Sequence, residues 1–156
     1  MIKETYLSAK GRIIPKGDLV FDISGSGKAR RPMSSLAPSR GLLEDWNEDQ
    51  IKWKEYVERY FQQLASDPRA GSLLDEIISL ASERDVWLVG LEEDYPCHRF
   101  LVKQIIEKVL YERKVVSSVE DYSEQYRTFK NMTKSQAAKM KDSSPPSSPP
   151  PPLLPG

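Results

Sequence analysis

The sequence predicts an α/β fold of three layers, a mainly parallel sheet flanked by helices, with a disordered proline-rich tail. Three observations carry this. Segments of strand character at 2–8, 18–24 and 86–91 alternate with a loop and with stretches of helical periodicity in the order strand, strand, helices, strand, helix, as expected of a mainly parallel sheet. The run from Val86 to Leu91 is continuous, as in a strand buried on both faces. From Ser143 onward only Ser, Pro, Leu and Gly remain, a composition that cannot bury a core.

Each element has its own signal. Ile2 to Ser8 is rich in strand formers, and Gly11 to Gly17 has the character of a turn. Leu19-Val20-Phe21-Asp22-Ile23, stopped by Gly25-Ser26-Gly27, predicts an internal second strand. Lys28 to Pro38 is basic and irregular, and Arg30, Arg31, Pro32 and Pro38 mark a long loop. Ser39 caps a short helix from Arg40 to about Asn47 that carries Leu42, Leu43 and Trp46. A stronger helix spans Ile51 to Leu64, with Trp53, Val57, Tyr60, Phe61 and Leu64 as its core face. Asp67-Pro68 breaks it, and Leu73, Leu74, Ile77, Ile78 and Ala81 define the next helix. After the third strand, Pro96 opens a helix whose stripe is Leu101, Val102, Ile105, Ile106, Val109 and Leu110, with Lys103, Glu107 and Lys108 opposite. Valines in Lys114 to Val119 predict a last edge strand, and Glu120 to Met140 a loosely docked helix anchored by Tyr122, Tyr126, Phe129 and Met132. The chain thus divides into an α/β domain at 1–112, a strand and helix at 113–142, and a tail at 143–156.

Composition limits the partners. Twenty-three basic and twenty-three acidic side chains cancel, so no global field recruits nucleic acid or an anionic membrane surface, and Arg30, Arg31 and Arg40 form only a small basic cluster. No apolar stretch approaches the roughly 20 residues that cross a bilayer. The one cysteine cannot make an intrachain disulfide, and no cleavable leader opens the sequence, so a cytoplasmic location is expected.

The chain's only cysteine and only histidine stand side by side in Glu92-Glu93-Asp94-Tyr95-Pro96-Cys97-His98-Arg99. This places Cys97, His98 and Arg99 in the first turn of a helix at the carboxyl end of a strand, where free amides and the helix dipole favour anions. In a parallel sheet the loops after Ser8, Ser24 and Glu92 open on one edge, which would bring the glycine loop to Cys97.

Four pieces of sequence, Leu36-Ala37-Pro38-Ser39, Leu42 to Trp46, Ile51 to Tyr56 with Tyr60, and Glu92 ahead of Cys97-His98-Arg99, resemble in order and spacing the family catalogued as domain of unknown function 488. The resemblance covers approximately Ile2 to Leu110. It implies an α/β domain with a shared Cys-His-Arg signature and no established activity. It also implies a departure here: members often carry a cysteine in the strand before the acidic residue, where this chain has Gly90, so a two-thiol chemistry is not open to it.

Each candidate residue has two readings. Cys97 is a nucleophile whose thiolate the dipole and Arg99 favour, or a buried small hydrophobe. His98 is a proton carrier or an ordinary hydrogen-bonded histidine, and Glu92 is a second proton handler. Arg99 presents its fork to a phosphate or carboxylate, or pairs with Glu92. Gly25 and Gly27 with Lys28, Arg30 and Arg31 form an anion cradle or a solvated basic turn. The comparison of that loop with a P-loop fails, because Asp22 and Ala29 occupy two of the motif's required positions. Metal binding is not expected from adjacent Cys and His with no further Cys or His, and no cofactor is implied. The leading function is therefore binding or processing of a small anionic, phosphate-bearing ligand at the sheet's carboxyl edge. The alternative is a non-catalytic interaction module whose Pro145 to Pro155 tail, holding seven of the twelve prolines, recruits a protein partner.

Overall fold

The computed structural model describes residues 1–6, 9–25, 34–92 and 94–143. In chain order these form β1 (Ile2–Tyr6), a one-turn helix α1 (Lys10–Ile13), β2 (Leu19–Asp22), a 3-10 turn (Ser34–Leu36), α2 (Arg40–Asn47), α3 (Trp53–Ser66), α4 (Pro68–Glu83), β3 (Val86–Gly90), α5 (His98–Glu112), α6 (Ser123–Phe129) and α7 (Lys134–Ser143). The fold is α/β with a parallel sheet, as the order of periodicities predicts.

The sheet runs β1-β3-β2, and both pairings are parallel. Every residue of the central strand β3 is buried, which explains its unbroken apolar run. Val89 is level with Thr5 on one side and Asp22 on the other, so the three strands end together. Helices α4 and α5 pack on β3, and α5 also reaches β1.

Caps set the helix starts. The Ser39 hydroxyl accepts the Leu42 amide at 3.2 Å, as its position before α2 predicts. The Asp67 carboxylate accepts the Arg69 amide at 2.9 Å, and Pro68 takes the first helical position, where a missing N–H costs nothing. The Asp67-Pro68 break is thus also the start of α4.

Other expectations are corrected. The span Gly11 to Gly17, expected as a turn, begins inside the one-turn helix α1, and Gly17 at φ 94 closes it. Residues 114–119 form no strand: Lys114 at φ 62 ends α5, the Val115 amide folds back to the Leu110 carbonyl at 2.9 Å, and Val115 is exposed. Glu120 to Met140 is not one loose helix but α6 and α7, anchored by buried Tyr122, Phe129 and Ala137. Lys103, expected on the solvent face of α5, is buried between Glu107 at 3.2 Å and Glu120 at 2.5 Å, because the segment entering α6 crosses over it. Phe61 stands at the edge of the α3 stripe and is exposed, while Tyr56 is buried in its place. The proline-rich tail at 144–156 and the loop residues Gly27, Lys28, Arg30 and Arg31 lie outside the described residues.

The core is aromatic where α2, α3 and α6 meet the β3–α5 loop. Trp53 stacks on Tyr56 at 4.8 Å and donates its indole N–H to the Tyr95 hydroxyl at 2.8 Å, so the buried polar atom of each is satisfied. Tyr95 in turn stacks on Tyr122 at 6.1 Å and contacts Phe129 at 5.7 Å, which joins α6 to the body of the domain.

Candidate functional site

The chain leaves β3 at Gly90 and bends through Leu91, Glu92 and 94–96 before α5 begins. Cys97 is the extended residue just ahead of α5, and His98 and Arg99 are its first two helical residues. All three are buried, at 4%, 6% and 1% exposure, so the first turn faces inward rather than outward.

The His98 ring bridges two strand ends. Its Nε2 lies 2.6 Å from the Ile23 carbonyl, just beyond β2, and its Nδ1 lies 3.7 Å from Cys97 Sγ. Burial holds the imidazole down at about 4, so it is neutral near pH 7. A carbonyl accepts only, so Nε2 carries the proton and donates it to Ile23, which leaves Nδ1 to accept from the thiol. Tyr60 meets the ring edge-on at 5.6 Å and fixes its plane. The result is a thiol, an imidazole and an orienting carbonyl in series, the arrangement that nucleophile and base pairs require.

The pair rests uncharged. Burial, reinforced by Glu92 and opposed by Arg99, pushes the Cys97 thiol up to about 11. The thiolate that a helix start would favour is outweighed by desolvation.

Of the two readings of Arg99, the structure supports an internal one. Its Nε lies 2.5 Å from Glu4 Oε2 on β1, and its Nη1 donates to the Glu92 carbonyl at 2.5 Å. The partner at Glu92 is thus the backbone and the partner carboxylate comes from Glu4, so one side chain ties the middle of β1 to the bend after β3. Gly90 makes the room: a Cβ there would stand 3.3 Å from Nη1 and 3.6 Å from the Arg99 stem. Nε and Nη1 are thus engaged within the fold, and Arg99 is not among the residues that line the cavity described next.

Cys97, His98 and Glu92 line a cavity of ≈ 40 Å³ at the sheet's carboxyl edge, with Ser24, Trp46 and Tyr56 among the other walls. That is room for roughly three water-sized groups, not for an enclosed nucleotide. Glu92 is partly exposed there, and burial pushes its carboxyl above the usual range although Lys134, Lys141 and Arg99 pull it back. Ser24 donates its amide to Asp22 Oδ1 at 2.8 Å and its hydroxyl to the same oxygen. Asp22 is fully buried at the end of β2 and contributes to the field at His98. Gly25 follows at φ 80 with its Cβ position 3.1 Å from Ala37, and leads into the glycine and basic residues outside the described set.

An outer cleft of ≈ 200 Å³ adjoins the cavity and shares Trp46, Glu92 and Pro96 with it. Its far wall is α7, through Lys134, Ala137, Ala138 and Lys141. The amino end of α7 is fastened to the α2–α3 bend: Asp49 accepts the Ser135 amide at 2.9 Å and hydroxyl at 2.5 Å, and Lys134 Nζ donates to Asn47 at 2.6 Å.

Sequence reading missed Asp22, Trp46, Tyr56 and the α7 lysines as site residues. Asp22 carried a usable signal, an acid inside a run otherwise fit for an internal strand. Trp46 and Tyr56 carried none, because wall and core aromatics share one periodicity. Among the described residues no group of three or more His, Cys, Asp and Glu is placed to hold a metal ion, and no helix is long and apolar enough to cross a membrane.

Residues 19–110 match a family model described as DUF488-N3a, the active DUF488-N3 subclade. The match begins at β2 and ends in α5, so β1, α6 and α7 lie outside it. No curated protein and no solved structure matches the chain.

Proposed function

The chain belongs to the DUF488 family, and from that premise we propose that its carboxyl-edge cavity binds a small ligand bearing an anionic group, with Cys97, His98 and Glu92 as the groups that touch it. The observation that carries this is the Cys97–His98–Ile23 series opening on a cavity at the shared end of three parallel strands. The cavity's ≈ 40 Å³ admits a short uncharged portion of the ligand and leaves its charge at the mouth.

The neutral resting pair defines what the site does. Cys97 offers a hydrogen bond from its thiol, and His98 Nδ1 stands ready to take that proton while Nε2–H stays on Ile23. With the thiol up at about 11 and the imidazole down at about 4, charge separation between them is opposed. Binding and orientation are therefore the site's first role, and nucleophilic use of Cys97 waits on a ligand that alters the local field. Glu92, with its carboxyl held upward, is the group suited to exchange a proton with the ligand at the mouth.

The single histidine makes the test direct. Small phosphate monoesters and short carboxylic acids are added to ¹⁵N-labelled protein, and the His98 ring resonances are followed. Saturable shifts that vanish in Cys97→Ser support the reading. A ring that responds to none of these compounds at millimolar concentration overturns it.

A further inference from the structure

We propose that α7 supplies the seat for the ligand's anionic group: a phosphate or carboxylate bound against the Lys141 ammonium in the outer cleft, its uncharged remainder reaching past Trp46 into the Cys97 cavity. This rests on the reading that the cavity takes a ligand, and it names the side chain that receives the charge.

Continuity comes first. Trp46, Glu92 and Pro96 line both the ≈ 40 Å³ cavity and the ≈ 200 Å³ cleft, so one short molecule can occupy both. The cleft, the roomier of the two, is large enough for a phosphate. Ala137 and Ala138 keep the α7 wall low between the two lysines, which lie on one side of the helix.

The two lysines differ in what holds them. Lys134 donates to Asn47 at 2.6 Å and stands 3.9 Å from Glu92. Among the described residues, Lys134 alone of the pair lies within ion-pair distance of a carboxylate. Lys141 is half-buried and lines the cleft with Asp94 and Glu92, neither within 4 Å of its ammonium among the described residues, and burial pulls that ammonium below the usual lysine range although both carboxylates raise it. A partly desolvated cation without a close counter-ion is unfavourable, and an incoming anion relieves it. Arg99, also a cation at this end of the sheet, is bound to Glu4 and to the Glu92 carbonyl.

The wall is held in place. Asp49 and Asn47 fix the start of α7 to the bend that carries Trp46, so Lys141 is presented at a set position across the cleft. α7 lies outside the residues matched by the family model, which end within α5.

The test uses the full chain with inorganic phosphate, ethyl phosphate and propionate as probes. Binding is read from the amide resonances of α7 and, separately, from the His98 ring. Lys141→Met is expected to weaken the preferred probe about tenfold or more, Lys141→Arg to retain it, and both to keep the wild-type unfolding temperature. Whether phosphate or carboxylate binds better identifies the anion. Unchanged affinity in Lys141→Met overturns the seat, and the cavity reading survives if His98 still responds. Lys141-dependent binding that leaves His98 unmoved supports the seat and counts against the cavity reading. No response of α7 to any probe overturns the proposal.

Discussion

His98 is neutral because it is buried, and burial makes it a liability in acid. Its folded value near 4 lies below the unfolded 6.5, so between those values the unfolded chain binds more protons and gains relative to the fold. Stability contributed by the neutral ring is complete above pH 6.5 and is lost progressively as pH falls to about 4, by about 3 kcal/mol in all. Urea unfolding from pH 7.5 to 4 should show this limb, and His98→Gln should flatten it; equal limbs in both proteins would place the ring outside the core. Cys97 offers a second check. A thiol raised from 9.0 to about 11 holds about 100-fold less thiolate at pH 7 than an exposed one, so iodoacetamide should modify the folded chain about 100-fold more slowly than the same chain in urea. Equal rates would refute its burial. These values were beyond the sequence, which offered the helix dipole and Arg99 as reasons for a low thiol pKa. Arg99 does pull the thiol down, but burial outweighs it, and residue order does not reveal how deeply Cys97 sits.

At the scale of elements, strands and caps were the most legible. Val86 to Gly90 reads as a doubly buried strand because nothing polar interrupts it, and Ser39 reads as a cap because its hydroxyl has only local amides to meet. The segment at 114–119 misled because valine content reports preference for extended backbone, whereas a strand also needs a ladder partner. The split of 120–140 into α6 and α7 was equally hidden, since the bend is secured from afar by Trp53 and Lys54 amides on the Met132 and Lys130 carbonyls, at 2.9 and 2.8 Å. The Asp49 carboxylate, on a residue at φ 58, performs the same service for the start of α7. Asp49→Ala should therefore speed amide exchange through 134–141 several-fold and leave β3 unchanged. Exchange that accelerates equally in β3 would mean that α7 and the sheet open as one unit.

For the whole molecule, the sequence foretold a parallel α/β sheet, and Cys97, His98 and Glu92 line a cavity at its carboxyl edge with Ser24. It did not foretell that α7 closes the cleft, because contacts between residues eighty-six or more apart in the chain, such as Ser135 on Asp49, leave no local trace. Deleting the residues after Ser143 tests how the remaining prolines relate to this body. Loss of Tyr122, Phe129 or Ala137 is not involved, so the unfolding temperature and the His98 ring shifts should be those of the full chain. A truncated protein that keeps both yet fails to capture a protein partner held by the full chain would assign that capture to the tail. A lowered unfolding temperature would instead make the tail part of the fold.

The strand order has a consequence for how the molecule comes into being. β1 and β2 never touch, and each pairs only with β3, the last of the three to be synthesised. A nascent chain shorter than residue 86 therefore has helices but no ladder to close, and both edge strands wait on the ribosome for their common partner. Since β3 runs directly into the bend that carries Glu92, Cys97 and His98, the sheet and the cavity are completed in the same brief interval of translation.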